Sequence, residues 1–129
     1  MGEARMKQRS VSRWASLGHA LRGLKVLLRQ PNARIHVAVA CAVVTLGMWL
    51  GLSENEWLAV VLAIGAVIGA EALNTALELV VDLVQPEWHE LARDAKDVAA
   101  AGVLVCSLAA AVVGTLVFAP KLWALYLQA

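Results

Sequence analysis

Three long apolar segments, separated by short polar stretches, are the feature of this sequence that most limits its fold. They run over residues 35–52, 57–84 and 98–118, and about 20 apolar residues in a helix suffice to cross the hydrocarbon core of a bilayer. A lipid-exposed backbone has to satisfy its hydrogen bonds internally, so each segment is expected to be a transmembrane helix. The pattern predicts an all-α membrane protein, with three spans in one membrane domain over residues 1–129.

The composition agrees with a membrane protein and argues against a nucleic-acid partner. Of the 129 residues, 60 % are hydrophobic and 16 % are charged, and the mean hydropathy is +0.69, which is more apolar than an ordinary soluble domain. A net charge of +1 provides no basic field that would attract nucleic acid. Cys41 and Cys106 lie in different apolar segments without CxxC spacing, and we interpret both as small hydrophobes.

The segment before the first span, residues 10–29, shows a different periodicity. Its apolar residues recur every three or four positions and basic residues occupy the others, the apolar ones being Trp14, Leu17, Leu21, Leu24 and Leu28. This pattern predicts an amphipathic helix in the headgroup layer; a cytoplasmic helix packed on the bundle is the alternative. No short apolar core with a cleavage site follows the basic N-terminus, so we expect no removed signal peptide.

The basic residues predict the orientation. Residues 1–34 and 85–97 contain ten of the eleven Lys and Arg residues, and three spans place both segments on one side, opposite Lys121. Positively charged connections stay in the cytoplasm. We therefore expect a multi-pass protein of the cytoplasmic (inner) membrane with a cytoplasmic N-terminus.

Four polar residues interrupt the second span and carry the functional prediction. Glu71, Asn74, Glu78 and Asp82 are spaced by three, four and four residues, which places them on one helix face in a stripe roughly 80° wide. If Trp57 marks the outer interface, Glu71 lies roughly 21 Å and Glu78 roughly 31 Å along the axis. The polar stripe, as we call these four residues, is then expected to lead from the inner leaflet to water.

Carboxylates within a membrane need compensation, and this stripe favours a site for a metal and a polyphosphate. We expect Glu71 to act as general base for a lipid hydroxyl, Asn74 to hydrogen-bond the transferring phosphoryl group, and Glu78 to bind Mg²⁺. Lys96 would neutralise phosphate charge, and Asp82 and Asp97 would orient Lys96, the metal or the nucleotide. Phosphoryl transfer needs mainly positioning and charge stabilisation, so a helical site suffices.

Two other functions fit the same residues. A small transporter or channel subunit would use the acids to bind and pass cations, and a structural assembly factor would tolerate their neutralisation. The chain has neither a GxxxxGK[ST] loop nor a GxGxxG loop, so a nucleotide site would not be of the common Gly-rich kinds.

The longer motif carries a family resemblance. The run Glu71-x-x-Asn74-Thr75-Ala76-x-Glu78-x-x-x-Asp82, followed by His89-x-Leu91-x-x-x-Ala95-Lys96-Asp97, resembles the signature of small prokaryotic integral-membrane diacylglycerol kinases and their undecaprenol kinase relatives. The resemblance covers roughly residues 12–118. It implies a homotrimer with active sites shared between neighbouring subunits, and MgATP-dependent phosphorylation of a lipid alcohol, either diacylglycerol or undecaprenol.

The resemblance also implies roles for single residues. Glu71 matches the proton acceptor and Glu78 a metal-binding acid, while the nucleotide side is matched by Glu87, Trp88, His89, Lys96 and Asp97. His89 has an alternative role as a helix cap. Gln30 stands where the family typically has a second metal-binding acid, and its amide oxygen can coordinate Mg²⁺ without adding charge. The elements Arg34-Ile35-His36 and Lys96-Asp97-Val98-Ala99-Ala100 resemble the undecaprenol branch somewhat more.

Overall fold

The structure, a computed structural model, describes residues 13–128. It contains four α-helices and, over that range, no strand: α1 (Arg13–Leu27), α2 (Pro31–Leu50), α3 (Glu54–Val84) and α4 (Glu90–Tyr126). The last three are long and apolar enough to cross a membrane. The predicted all-α architecture with three candidate spans is therefore confirmed, while residues 10–12 of the predicted surface helix lie outside the described residues.

The first two spans begin earlier than the apolar runs suggest, because local capping sets their ends. Helix α2 starts at Pro31, since proline suits the first helical turn, where no backbone N–H is needed. It stops at Gly51, whose left-handed φ of 64° and N–H bond to the Gly47 carbonyl close the helix. Helix α3 starts with a capping box in which Ser53 and Glu56 satisfy each other's backbone N–H groups.

Helix α4 is much longer than the predicted span 98–118. His89 caps its first turn by accepting a hydrogen bond from the Leu91 N–H at 3.2 Å, so the charged residues 90–97 are helical rather than a connection. Pro120 does not end the helix, which continues to Tyr126. A proline removes one backbone hydrogen bond, but the continued helix brings the Lys121 Nζ to 3.1 Å from the Glu56 carboxylate.

Helices α3 and α4 form a long antiparallel hairpin closed by an ion pair near each end. Asp82 pairs with Lys96 beside the connecting turn, and Glu56 pairs with Lys121 at the far end. Each helix advances about 38 Å between its two charged residues at 1.5 Å per residue. That distance exceeds the roughly 30 Å hydrocarbon core, so the two pairs fit the two polar interfaces of a membrane.

Helix α2 packs on α3 at the end that carries Glu56. A Cβ at Gly47 would lie 3.0 Å from the Trp57 ring, so only glycine permits this close approach. Next to it, Leu52, Val60 and Phe118 form the buried core where the three spans meet. The rest of the bundle is thinly covered, and most large apolar side chains face outward, as expected for a protein surrounded by lipid.

Helix α1 touches the bundle through α3 but leaves its apolar face open. Trp14 is 83 % exposed, Leu17 and Leu21 are also exposed, and Leu27 is buried. A helix packed on the bundle would have covered this face. The exposed apolar side therefore favours placement of α1 on the membrane surface.

Candidate functional site

The polar stripe of α3 changes from buried to exposed along the helix. Glu71 and Asn74 are 3 % and 6 % exposed, Glu78 is half-buried and Asp82 is exposed. Val60 and Val67, which are also buried, precede Glu71 on the same face. A carboxylate at one end of the stripe is thus enclosed by the bundle, and a carboxylate at the other end is open to solvent.

Asn74 lies between Glu71 and Glu78 in the stripe and contacts Glu78. Its Nδ2 donates a hydrogen bond to Glu78 Oε1 at 2.9 Å, while its buried Oδ1 has no partner among the residues that the structure describes. The bond holds one carboxylate oxygen of Glu78 and leaves the other available to a ligand. An unpartnered buried carbonyl oxygen is unfavourable, so the Asn74 Oδ1 is free, with respect to residues 13–128, to accept a hydrogen bond or a cation.

Lys96 lies at the open end of the stripe. Its Nζ contacts Asp82 Oδ1, fourteen residues earlier in the chain, across the α3–α4 hairpin. Lys96 is 36 % exposed and Asp82 63 %, so the ion pair adds little to stability. Its consequence is geometric, because it fixes the ammonium group beside the polar stripe, where an anionic ligand from water would meet it.

The other predicted nucleotide residues lie around the turn between α3 and α4. Glu87, Trp88 and His89 are all exposed, and the Trp88 ring is 79 % exposed. His89 caps α4, as its alternative role required. Asp97 is 3.9 Å from Arg93 rather than next to Lys96, so the chain itself brings Asp82, and not Asp97, to the lysine.

The two metal ligands implied by the resemblance lie on different parts of the chain, Gln30 at the start of α2 and Glu78 within α3. Gln30 occupies the N-cap position of α2 and makes no capping hydrogen bond with its side chain. Among residues 13–128 no three His, Cys, Asp or Glu side chains form a group that would hold a metal. Glu71 and Glu78 are two helical turns, about 10 Å, apart along the axis, which suits separate roles better than one shared ion.

Two buried hydroxyl groups near the site were missed by the sequence reasoning. Thr75 and Ser107 have buried side-chain oxygens without a hydrogen-bond partner among residues 13–128. Thr45 and Thr115, in contrast, each donate to the carbonyl four residues earlier at 2.8 Å. Thr75 lies four residues after Glu71, and its position beside the stripe was a usable signal. Ser107 is far away in sequence, and nothing local distinguishes it.

The sequence of this chain is similar to those of known proteins. A profile of the family described as prokaryotic diacylglycerol kinase matches residues 18–118. An undecaprenol kinase of Bacillus subtilis is 43 % identical over 108 residues, which are 83 % of this chain and 88 % of that protein. A diacylglycerol kinase of Synechocystis is 40 % identical over 113 residues, 87 % of this chain and 61 % of the relative. One from Haemophilus influenzae is 34 % identical over 91 residues, 70 % and 77 % of the two chains.

The three apolar helices and the buried-to-exposed polar stripe, taken with these relatives, define a membrane-embedded lipid kinase, a phosphotransferase with an alcohol acceptor and ATP as co-substrate. The match extends over most of the chain. The protein belongs to the prokaryotic diacylglycerol kinase family. The alternative of a non-enzymatic transporter or channel subunit finds no support among the relatives.

Proposed function

We propose that this kinase transfers the γ-phosphate of MgATP to undecaprenol. The observation that carries the reaction is the change of burial along the polar stripe, from the enclosed Glu71 to the exposed Asp82 and its partner Lys96. A lipid alcohol approaches from the membrane and a nucleotide from water, and the stripe joins the two environments. The choice of undecaprenol rests on the Bacillus subtilis relative, which this chain matches over 88 % of its length.

In this proposal Glu71 is the general base. Its carboxylate takes the proton of the lipid hydroxyl as that oxygen forms a bond to the γ-phosphorus, and the bond from the γ-phosphorus to the bridging oxygen breaks to release ADP. The 3 % exposure of Glu71 excludes bulk water from the base and so limits hydrolysis of ATP. A positioned base typically contributes a factor of about 10²–10⁴ to the rate.

Glu78, held by Asn74, is the proposed magnesium ligand. Carboxylate and amide oxygens are the ligands Mg²⁺ prefers, and it usually retains waters and phosphate oxygens beside one or two protein ligands. The half-buried Glu78 and the unpartnered Asn74 Oδ1 fit such an ion, and Gln30 is the further candidate. When bound, the ion would neutralise charge on the phosphates.

Lys96 is the proposed phosphate contact, positioned by Asp82. The exposed Glu87, Trp88, His89 and Asp97 surround the same turn and are proposed to contact the rest of the nucleotide. Trp88 offers a ring on which a base can stack, and the acids offer acceptors for hydroxyl or amino groups. His89 combines this role with its cap of α4.

A homotrimer with shared active sites completes the proposal. The wide exposed apolar surface of the described residues favours packing against neighbouring subunits, which supports a site to which two subunits contribute. The distribution of basic residues supports a cytoplasmic N-terminus in the inner membrane. Coexpression of Glu71→Gln and Gln30→Ala subunits tests the sharing, because mixed trimers of two inactive variants regain activity only if one active site takes these two residues from different subunits.

The acceptor is tested with a panel of lipids and γ-labelled ATP. Purified protein in mixed micelles is expected to label undecaprenol in a Mg²⁺-dependent reaction, with a kcat/KM at least tenfold higher than for diacylglycerol. Glu54→Gln, at an exposed acid in the first turn of α3, is the matched control for Glu71→Gln. A clear preference for diacylglycerol would overturn the choice of acceptor and leave the lipid kinase assignment intact.

A further inference from the structure

A groove between α2, α3 and α4 runs from the polar stripe toward the opposite membrane face. It encloses about 270 Å³ and extends from His36, Ile68 and Ser107 at one end to Val43, Val60 and Phe118 at the other. Its wall on α3 includes Val60, Ile64 and Val67, which lie on the same helix face as Glu71. The groove and the polar stripe are thus successive parts of one surface.

Ser107 lies at the height of Glu71 on the facing helix. Asp82 pairs with Lys96; Glu71 is eleven residues before Asp82, and Ser107 is eleven residues after Lys96. Since both helices rise 1.5 Å per residue, the two side chains sit at about the same depth. The ion pair between Glu56 and Lys121 at the other end of the hairpin aligns α3 with α4 in the same way, to within one residue.

The groove is polar at this end alone. Among the described residues that line it, His36 and Ser107 are polar and all the others are apolar. The Ser107 hydroxyl is buried without a partner, although Thr115 on the same helix bonds to its own backbone. An apolar slot with an unpartnered hydroxyl near Glu71 matches a long apolar molecule that carries one polar group at its end.

The negative charge of the polar stripe indicates which polar group the bound molecule carries at its end. Glu71 and Glu78 would repel the anionic phosphate of a phospholipid, whereas a neutral hydroxyl donates a hydrogen bond to a carboxylate. The buried Ser107 hydroxyl beside the apolar lining of the groove therefore favours a hydrocarbon chain that ends in a neutral hydroxyl group.

We propose that this groove binds the first isoprenoid units of the acceptor, and that Ser107 positions the acceptor hydroxyl next to Glu71. The inference rests on undecaprenol as the proposed acceptor and adds where its chain lies and which residue orients its head. A long single chain gains binding energy along the whole groove, because each buried apolar group adds to affinity. An alcohol too short to reach the far half of the groove would lack the binding energy that this half contributes.

A substitution at Gly114 can fill the far half of the groove without displacing neighbouring protein atoms. A Cβ added there meets no atom within 4 Å, and Gly114 lies about 10 Å from Ser107 along α4. Gly114→Leu is compared with Ala109→Leu, which adds the same side chain to an exposed position of α4 outside the groove. Ala63→Leu, on the α3 wall of the groove, is a second variant with the same purpose.

Each variant is assayed with undecaprenol and with 3-methyl-2-buten-1-ol, an alcohol of one isoprene unit that is too short to reach Gly114. Gly114→Leu is expected to raise KM for undecaprenol at least tenfold and to change kcat/KM for the short alcohol less than twofold, while Ala109→Leu changes neither. Ser107→Ala is expected to lower kcat/KM at least fivefold for both alcohols with unchanged KM for ATP, and Ser107→Thr to restore it.

The outcomes separate this inference from the choice of acceptor. If the unsubstituted protein phosphorylates neither prenol, undecaprenol is the wrong acceptor. If it phosphorylates both, but Gly114→Leu and Ala63→Leu have the same KM for undecaprenol as Ala109→Leu, the groove does not bind the isoprenoid chain of the acceptor. If the Gly114→Leu and Ala63→Leu variants lose activity on both alcohols, and native mass spectrometry shows that their oligomeric mass has changed, the groove is an interface between copies of the chain and the inference is refuted.

Discussion

Asn74 offers a sharp test of the site, because its two side-chain atoms have opposite effects on stability. Asn74→Ala removes the 2.9 Å hydrogen bond to Glu78, and a hydrogen bond to a charged group contributes about 1.5–3 kcal/mol. The same substitution removes the buried Oδ1 that has no partner, which relieves a penalty of about 1–3 kcal/mol. The two effects nearly cancel, so the free energy of unfolding is expected to change by less than about 1 kcal/mol.

Activity responds differently from stability in this variant. Without Asn74 the Glu78 carboxylate loses the group that orients it, and loss of such a supporting contact typically lowers metal affinity or activity by about 10–100-fold. We therefore expect a higher Mg²⁺ requirement in the kinase assay at an almost unchanged unfolding transition. The transition is followed by tryptophan fluorescence in detergent with increasing denaturant.

Asn74→Asp is the matched variant. It places a second carboxylate next to Glu78, and two like charges about 4 Å apart repel by up to about 4 kcal/mol at an effective dielectric constant of about 20. At neutral pH Asn74→Asp should therefore be much less stable than Asn74→Ala. Equal stability of the two variants, or full activity of Asn74→Ala at low Mg²⁺, would refute this account of the contact.

Two further predictions address the ends of the hairpin and the helix packing. Asp82→Asn removes the ion pair with Lys96. Because the pair is largely exposed, the free energy of unfolding should change by less than about 1 kcal/mol. The KM for ATP should rise by roughly tenfold, which corresponds to the loss of one charge-assisted hydrogen bond. A KM for ATP that stays unchanged would exclude Asp82 as the residue that positions Lys96. Gly47→Ala places a methyl group 3.0 Å from the Trp57 ring, so it should lower the free energy of unfolding by about 1–3 kcal/mol. A thermal unfolding midpoint at or above that of the unsubstituted protein would contradict this close packing of α2 on α3.

The sequence predicted the spans well because their length and apolarity are dictated by the membrane. Their ends were less predictable, since capping decided them. His89 starts α4 at Glu90, and Pro120 is tolerated within the helix. A proline in an interfacial stretch is usually a stop signal, and the ion pair between Lys121 and Glu56 that accompanies the longer helix joins residues far apart in the sequence.

The polar stripe was predictable because it lies within one helix, where spacing alone determines the shared face. Contacts between helices were less accessible: Asp82 and Asp97 were both candidates to orient Lys96, and the hairpin register decides for Asp82. Ser107 depends entirely on that register. The hairpin register puts its hydroxyl at about the same depth as Glu71, and no local pattern in the sequence reveals this.

The central claim is that an enclosed carboxylate receives the proton of a lipid alcohol while the nucleotide binds at the other end of the same helix face. Kinetics of Glu71→Gln with undecaprenol and MgATP test it most directly. We predict that kcat falls by about 10²–10⁴-fold, that KM for ATP changes less than threefold, and that the variant is at least as stable, since a buried amide costs less than a buried carboxylate. A Glu71→Gln enzyme that keeps its kcat, or one that loses ATP binding instead, would contradict the claim.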